Sequence, residues 1–449
     1  EALKARGNST FAHAVKKSYQ MKLSAPSDLL QNSESVKTWV LLANYFDATM
    51  MHDKLFKDLA AAMQMPYTAS CDWVNLYYDG EYRGVYLLSE KNTIKSTGVD
   101  IIDLEAAYKD KNTGYGTNMV AAEGKNTYGG TYYYTTGLIE PENIAGGYLI
   151  ELNHNKPDEA NGFITTRGKG FNAKSPEWCG QEAMKYISEY YQAFEDAVYA
   201  QDENDNYTGV NAAGKHYYDY VDKESLVKIF LLQELALNPD GFMSSLFFYK
   251  DANGKMYAGP IWDQDMTLGT GWTKYLAPDM NYAYHYLAEA LIQIPDFRDA
   301  VNRYYTETFA SMARSLLDNN GTIAQYEQCL NSGAAMNYTL WPYIRVGDPA
   351  ASGHIWQGAT YASVTADMRD WLAKRITQLD SVFAGVIRDV GDVNGDGKVD
   401  EFDAVAILRY EVGYQDSNFD IRYADVNKDG SVDGFDAVAI LRSIVGYKD

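Results

Sequence analysis

The chain has 449 residues and a mass of 50.3 kDa, more than one small core needs, and its length predicts two or three domains. Apolar residues at 46% and charged residues at 22% exclude a disordered or collagen-like chain, and no apolar run reaches the ~18 residues that cross a bilayer. A net charge of −22 disfavours nucleic acid and anionic membrane as partners and suits cation binding wherever the carboxylates cluster.

Cys71, Cys179 and Cys329 are far apart, odd in number and in no C-x-x-C pattern. Neither a disulfide framework nor a thiolate zinc site is expected. The sequence begins at Glu1 without a methionine or an apolar leader, which reads as a trimmed start.

The first long helical pattern covers residues 33–63. β-Branched and aromatic residues at 73–78 and 82–88 flank Asp79-Gly80, a strong hairpin signal. Residues 104–146 are rich in Gly, Asn, Thr and Tyr and read as a long surface insertion. A strand is expected at 147–152, then helices at 181–200 and 223–237, the second with Asp222 as N-cap. Strands at 246–250 and 255–258 flank Asn253-Gly254 as a second hairpin, and helical patterns follow at 296–317 and 365–383. Strands early and helices late favour an α+β fold with two lobes.

The second hairpin carries the most chemistry. Asp240 precedes it; Asp263 and Asp265 follow it. The two ends of a hairpin are neighbours, with strands ~4.8 Å apart, so acids distant in sequence meet at one open end. Carboxylates so placed hold a divalent cation or share acid–base work. Solvated aspartates capping turns are the plainer alternative, and a glycosidase-type carboxylate pair stays open too. Protein kinases have the same order: an Asp, a short hairpin, then a metal-binding Asp. The H-R-D and D-F-G letters are absent, as are a G-x-G-x-x-G loop and a Walker A motif.

Residues 392–414 and 425–447 are a repeat, identical at 18 of 23 positions, with an offset of 33. Residues 389–449 hold 14 acids and 6 bases, which marks a separate module after a short linker at 386–391. Each repeat opens with EF-hand ligand spacing: Asp392, Asn394, Asp396, Lys398 through its carbonyl, Asp400 and Asp403, then Asp425, Asn427, Asp429, Ser431, Asp433 and Asp436. Gly397 and Gly430 stand where the loop turns sharply. Four carboxylates per loop would repel one another without a cation, so two Ca²⁺ ions are expected. Position 12 is Asp where the usual pattern has Glu. One helix follows each loop, and no helix enters it.

This arrangement resembles a type I dockerin across residues 392–447. The resemblance implies binding to a cohesin module of a scaffold protein in an extracellular or cell-surface cellulosome, and hence a secreted protein. It places the contacts at Glu401, Phe402, Ala404, Val405, Leu408 and Arg409, and at Gly434, Phe435, Ala437, Val438, Leu441 and Arg442. Phe402 and Phe435 depart from the Ser-Thr of many dockerins, and packing between the two helices is the alternative for the apolar positions.

Upstream, Arg6–Thr10 (RGNST) with Lys16-Lys17-Ser18-Tyr19, then WVLLANYFD at 39–47, GEYRGVYLLSE at 80–90, GGYLIE at 146–151 and GPIWDQD at 259–265 resemble the CotH (spore-coat protein H) kinase family. The match runs in order over about residues 4–383. It implies an atypical two-lobed kinase-like domain at 1–385 that uses ATP and Mg²⁺ or Mn²⁺ on a protein phosphoacceptor. Asp240 would orient or deprotonate the acceptor hydroxyl, and Asp263, supported by Asp265, would bind the metal. Lys17 and Arg6 would contact phosphate, and Glu151 would pair with a lysine or the metal. Trp262 reads as core rather than an adenine platform. Two departures stand out: Ser245 lies where conventional kinases place a metal-binding Asn, and His52-Asp53 where many relatives show Arg-Asn. The sequence thus points to a dockerin-anchored kinase, or to a non-catalytic structural or adhesive subunit with the same fold.

Overall fold

The structure, a computed structural model, describes residues 2–7, 9–31, 35–96, 98–154, 156–270, 277–278, 285–342, 360–384, 389–414 and 418–447. The expected domain boundary at 385/386 lies outside the described residues, as does the first part of the linker.

Strands β1 (Ala2–Arg6), β2 (Ser18–Ser27), β3 (Val36–Leu42), β4 (Cys71–Tyr78) and β5 (Glu81–Glu90) form an antiparallel sheet in the order β1-β2-β3-β5-β4. The Asp79-Gly80 turn has positive φ at both residues, 53° and 78°, which suits the twist of the hairpin. The helix expected at 33–63 is instead β3, a loop and the helix His52–Ala62. Trp39, Val40 and Leu41 are buried on both faces between β2 and β5, and sheet pairing overrides the apolar period there.

A second sheet takes β6 (Ala121–Lys125), β7 (Thr131–Thr135), β8 (Tyr148–Asn153), β9 (Gly162–Ile164), β10 (Gly170–Ser175), β11 (Ser244–Lys250) and β12 (Met256–Ala258), in the order β12-β11-β8-β10-β9-β7-β6. The stretch 104–146 is therefore not a loop: it holds the helix Leu104–Lys111 and the β6–β7 hairpin. The run TYYYT has high strand propensity, and Tyr132 is buried where β7 pairs with β9. After Ala258 the elements of the large domain are helical among the described residues.

One core joins both sheets to the helices; Trp39, Tyr86, Ile150, Phe171, Phe194, Phe230, Phe248 and Leu372 belong to it. A smaller cluster with Val40, Leu149, Phe247, Tyr249 and Trp262 packs one sheet against the other. The helix Lys223–Ala236 is buried at every residue from Ser225 to Ala236, so it is the central rod of the domain. Asp222 caps it by accepting the N–H of Ser225 at 2.7 Å. Near its other end, Arg375 is fully buried; it donates to the Glu234 carbonyl (Nε, 2.8 Å) and to Glu234 Oε2 (Nη2, 2.6 Å).

The helix Thr322–Leu340 has no counterpart in the sequence reading. Its few buried side chains, among them Ile323, Leu330 and Ala334, leave too weak a stripe to recognise. In the C-terminal module two helices, Glu401–Glu411 and Gly434–Ile444, enclose a small core of Val393, Ala404, Ala406, Ile407, Tyr423, Ala424, Ala437 and Ile440.

Candidate functional site

The central helix ends in a left-handed Leu237 (φ 45°), with the N–H of Leu268 on the Ala236 carbonyl at 2.8 Å. Asn238 then organises both ends of the β11–β12 hairpin. Its Oδ1 accepts the N–H of Asp240 at 3.0 Å, and its Nδ2 donates to the Asp263 carbonyl at 3.1 Å. The Asp240 carbonyl accepts the N–H groups of Met243 and Ser244, both at 2.8 Å, and turns the chain into β11. At the far end Asp263 holds a φ of 61°, an uncommon conformation for a non-glycine residue. The hairpin thus brings Asp240, Asp263 and Asp265 to one cleft of about 290 Å³.

Arg6, Asp53, Glu151, His154, Asp158, Glu159 and Lys174 also line the cleft. Acids outnumber the lysine and arginine side chains by seven to two in this lining. Asp263 lines the cleft and is exposed there. Desolvation, then the charges of Asp53 and Asp240, push its pKa up to about 6. Desolvation followed by Asp263, Asp53, Asp47 and Asp240 raises Asp265 well above the usual carboxylate range. Asp240 is raised by desolvation, with His154 working against the shift. Such mutually repelling carboxylates suit a divalent cation. Among the described residues no three Asp, Glu, His or Cys groups already stand as a complete metal cage. Mg²⁺ usually takes only one or two carboxylates beside phosphate and water, so this donor set is compatible with it.

The other expected residues divide. Arg6 lines the cleft, its guanidinium 5.7 Å from the Trp262 ring, with Lys57 Nζ 4.6 Å from the same ring. Trp262 is 9% exposed and packs in the inter-sheet cluster. Glu151 pairs with Lys174 at 3.2 Å, and Lys174 also bridges to Glu159. Lys17 is not brought to the cleft: it precedes β2, and its ammonium donates to the Phe11 carbonyl at 2.7 Å. The next residue, Ser18, lines the cleft; successive side chains of an extended segment face opposite ways. Lys174, Asp53 and Asn238 were not assigned roles from sequence, because no local pattern links them to the hairpin. The contact between β8 and β10 that joins Glu151 to Lys174 is tertiary.

In the C-terminal module each loop is folded onto its own carboxylates. Asp403 accepts the N–H groups of Val393 (2.9 Å), Asn394 (3.1 Å) and Asp400 (2.9 Å), and Asp436 does the same for Val426 (2.7 Å), Asn427 (3.0 Å) and Asp433 (3.0 Å). Asp392 and Asp425 accept the N–H of Gly397 and Gly430, each at 3.0 Å. Those glycines hold φ of 86° and 88°, where a side chain would be strained. Asp396 and Asp429 accept the N–H groups of Lys398 and Ser431, each two residues on. Asp400 and Asp433 cap the two helices through the N–H of Phe402 and Phe435. Asn394 and Asn427 face the same turns, accepting from Asp396 and Asp429.

The helices separate their apolar residues. Ala404 and Ala437 are core, 1% exposed each, which removes them from an exposed contact surface. Phe402 (65%), Phe435 (72%), Val405, Leu408, Val438 and Leu441 are exposed. Glu401, Arg409 and Arg442 are exposed beside them, and Gly434 is half-buried.

These features describe an α+β domain with an acidic cleft, joined to a two-repeat helical module. The CotH kinase protein family matches residues 3–379, and the dockerin type I domain matches residues 390–444. The chain belongs to the CotH kinase protein family and carries a type I dockerin. No curated protein matches it. Type I dockerins bind calcium and anchor their proteins to cohesins, typically in extracellular cellulosomes.

Proposed function

We propose that the protein is a secreted cellulosome subunit whose two-lobed domain is an ATP- and Mg²⁺- or Mn²⁺-dependent protein kinase at work beside polysaccharide-degrading enzymes. The observation that supports this most is the convergence of Asp240 and Asp263 from the two ends of one hairpin onto one cleft. In this reading Asp240 accepts the proton of the acceptor hydroxyl, aided by its raised pKa. Asp263 and Asp265 hold the cation. A divalent cation there would neutralise charge on the transferred phosphoryl group. Arg6 and Lys174 supply positive charge in the cleft lining, with Glu151 orienting Lys174. In the dockerin, Asp392, Asn394, Asp396, Asp400 and Asp403, with the Lys398 carbonyl, would hold one Ca²⁺, and their counterparts from Asp425 to Asp436 the other. We take the kinase-like domain as 1–385, the linker as 386–391 and the dockerin as 392–449.

One observation favours a second reading, a structural subunit without catalysis. The cleft has seven carboxylates against Arg6 and Lys174, and Lys174 is already paired. A triphosphate without metal is repelled by such a lining. Calorimetric titration of the full chain with ATP, with and without Mg²⁺ or Mn²⁺, separates the two readings. The kinase reading expects binding only with the metal; no binding under either condition leaves the structural one.

A further inference from the structure

The cation subsite is gripped from a distant part of the chain. The carboxylate of Asp47 accepts the N–H of Thr49 (2.8 Å), the hydroxyl of Thr49 (2.5 Å) and the N–H of His52 (2.8 Å), and so fixes the start of the helix His52–Ala62. That start places Asp53, 4% exposed, on the cleft wall. There its Oδ1 accepts the N–H of Gln264 at 3.0 Å. Gln264 stands between Asp263 and Asp265, and its own Nε2 donates to the Trp262 carbonyl at 2.8 Å. The turn that aims both aspartates is therefore held by a side chain 211 residues away.

A second observation points to a ligand at this wall. Asn44 lines the same cleft and is 4% exposed. Its Nδ2 is spent on the Met50 carbonyl at 2.9 Å, and its buried Oδ1 has no hydrogen-bond partner among the described residues. A buried oxygen without a partner in the lining of an acidic cleft is a costly arrangement unless a cation or a donor completes it.

We propose that Asp53 is a positioning residue for cation binding: by holding the Gln264 N–H it fixes the directions of Asp263 and Asp265. This rests on the reading of the cleft as a cation and nucleotide site. The hydrogen bond, more than the charge, carries the role, so asparagine should replace it better than alanine.

The test is Mn²⁺ titration of the full chain followed by electron paramagnetic resonance, with calcium in excess to keep the dockerin loops filled. Cleft binding is the part that disappears in Asp263→Ala. Asp53→Ala should weaken that part by about tenfold or more, the scale on which groups that orient metal ligands act. Asp53→Asn, which keeps the acceptor for the Gln264 N–H and loses only the charge, should weaken it clearly less than Asp53→Ala, and both should keep the wild-type circular dichroism. Should Asp53→Ala fail to fold, Asp53→Ser, too short to reach Gln264, takes its place with the same expectation. Wild-type affinity in the alanine variant overturns the proposal, and so does an equal loss in the asparagine variant. If Mn²⁺ binding by wild type has no component that Asp263→Ala removes, the reading of the cleft falls first and this proposal with it.

Discussion

The hydroxyl of Ser245 donates to Asp263 Oδ2 at 3.0 Å, and both residues hold positive φ, 57° and 61°. One begins the hairpin and the other follows it. This bond ties the two ends of the hairpin at the cleft and holds one oxygen of Asp263. Ser245 thus touches Asp263 from the position where a conventional kinase has its second metal-binding side chain.

The roles of Asp240 and Asp263 should separate in mutants. Asp263→Ala should abolish metal-dependent ATP binding. Asp240→Asn should leave binding nearly intact and cut phosphoryl transfer by roughly 10²–10⁴-fold, the usual scale of base assistance. Calorimetry beside labelled-phosphate transfer, including autophosphorylation, reads both quantities. Equal loss of binding in the two variants would contradict the assignment.

The acidic cleft should also make stability depend on pH. Desolvation and the charges of Asp53 and Asp240 push Asp263 up to about 6 in the folded protein against an ordinary 3.8, so the folded state keeps this proton longer than the unfolded chain. Stability from this group is therefore greatest below about 3.8 and is lost as pH rises through about 6. A cation restores it only where the carboxylate is ionised. With calcium held constant, added Mn²⁺ should raise Tm at pH 7.5 and not at pH 5. Asp263→Asn should raise the Mn²⁺-free Tm at pH 7.5 and remove the Mn²⁺ response.

Arg375 offers a test of the scaffold rather than of the chemistry. Its guanidinium is fully buried against Glu234. Arg375→Ala should destabilise the fold by about 3–5 kcal/mol, because Glu234 is left as an uncompensated buried charge. Arg375→Met with Glu234→Gln should recover much of that. Urea unfolding of the three chains measures it.

How much of this was legible in the sequence differs by residue. Asp240, Asp263 and Asp265 were, because a hairpin is a local structure and its turn letters are strong. The two dockerin loops were, because the residues expected to hold calcium in each lie within twelve consecutive positions. Lys17 was misplaced because adjacent residues of an extended segment face opposite ways, and only the sheet says which faces the cleft. Asp53 and Lys174 reach the cleft through contacts between sheets and helices, which leave no mark on local spacing. The strand at 36–42 was hidden for the same reason: its neighbours decide its state.

Calcium should fold the dockerin. Removing it from the full chain should cost helix signal and cohesin binding together, since the loop carboxylates lose the cation that offsets their repulsion. Unchanged circular dichroism in excess chelator would sink this.

The two repeat helices should offer cohesin two docking orientations. They expose matching residues, Phe402 with Leu408 and Phe435 with Leu441. The pair Phe402→Ala and Leu408→Ala should weaken binding only slightly, and the four-fold variant should abolish it. Complete loss from the first pair alone would argue for a single orientation.

The same exposed side chains have a consequence for a molecule that has not yet met its partner. They form an adhesive patch on a freely diffusing protein, and a second copy is its nearest available contact. The segment that bears them has 14 acids and 6 bases, so two copies feel like-charge repulsion before their apolar residues touch. That guard reaches about 8 Å at physiological ionic strength and about 3 Å at 1 M salt. Brine, or calcium that neutralises the loops, lowers the guard, and clumping of unassembled copies is the hazard that assembly removes.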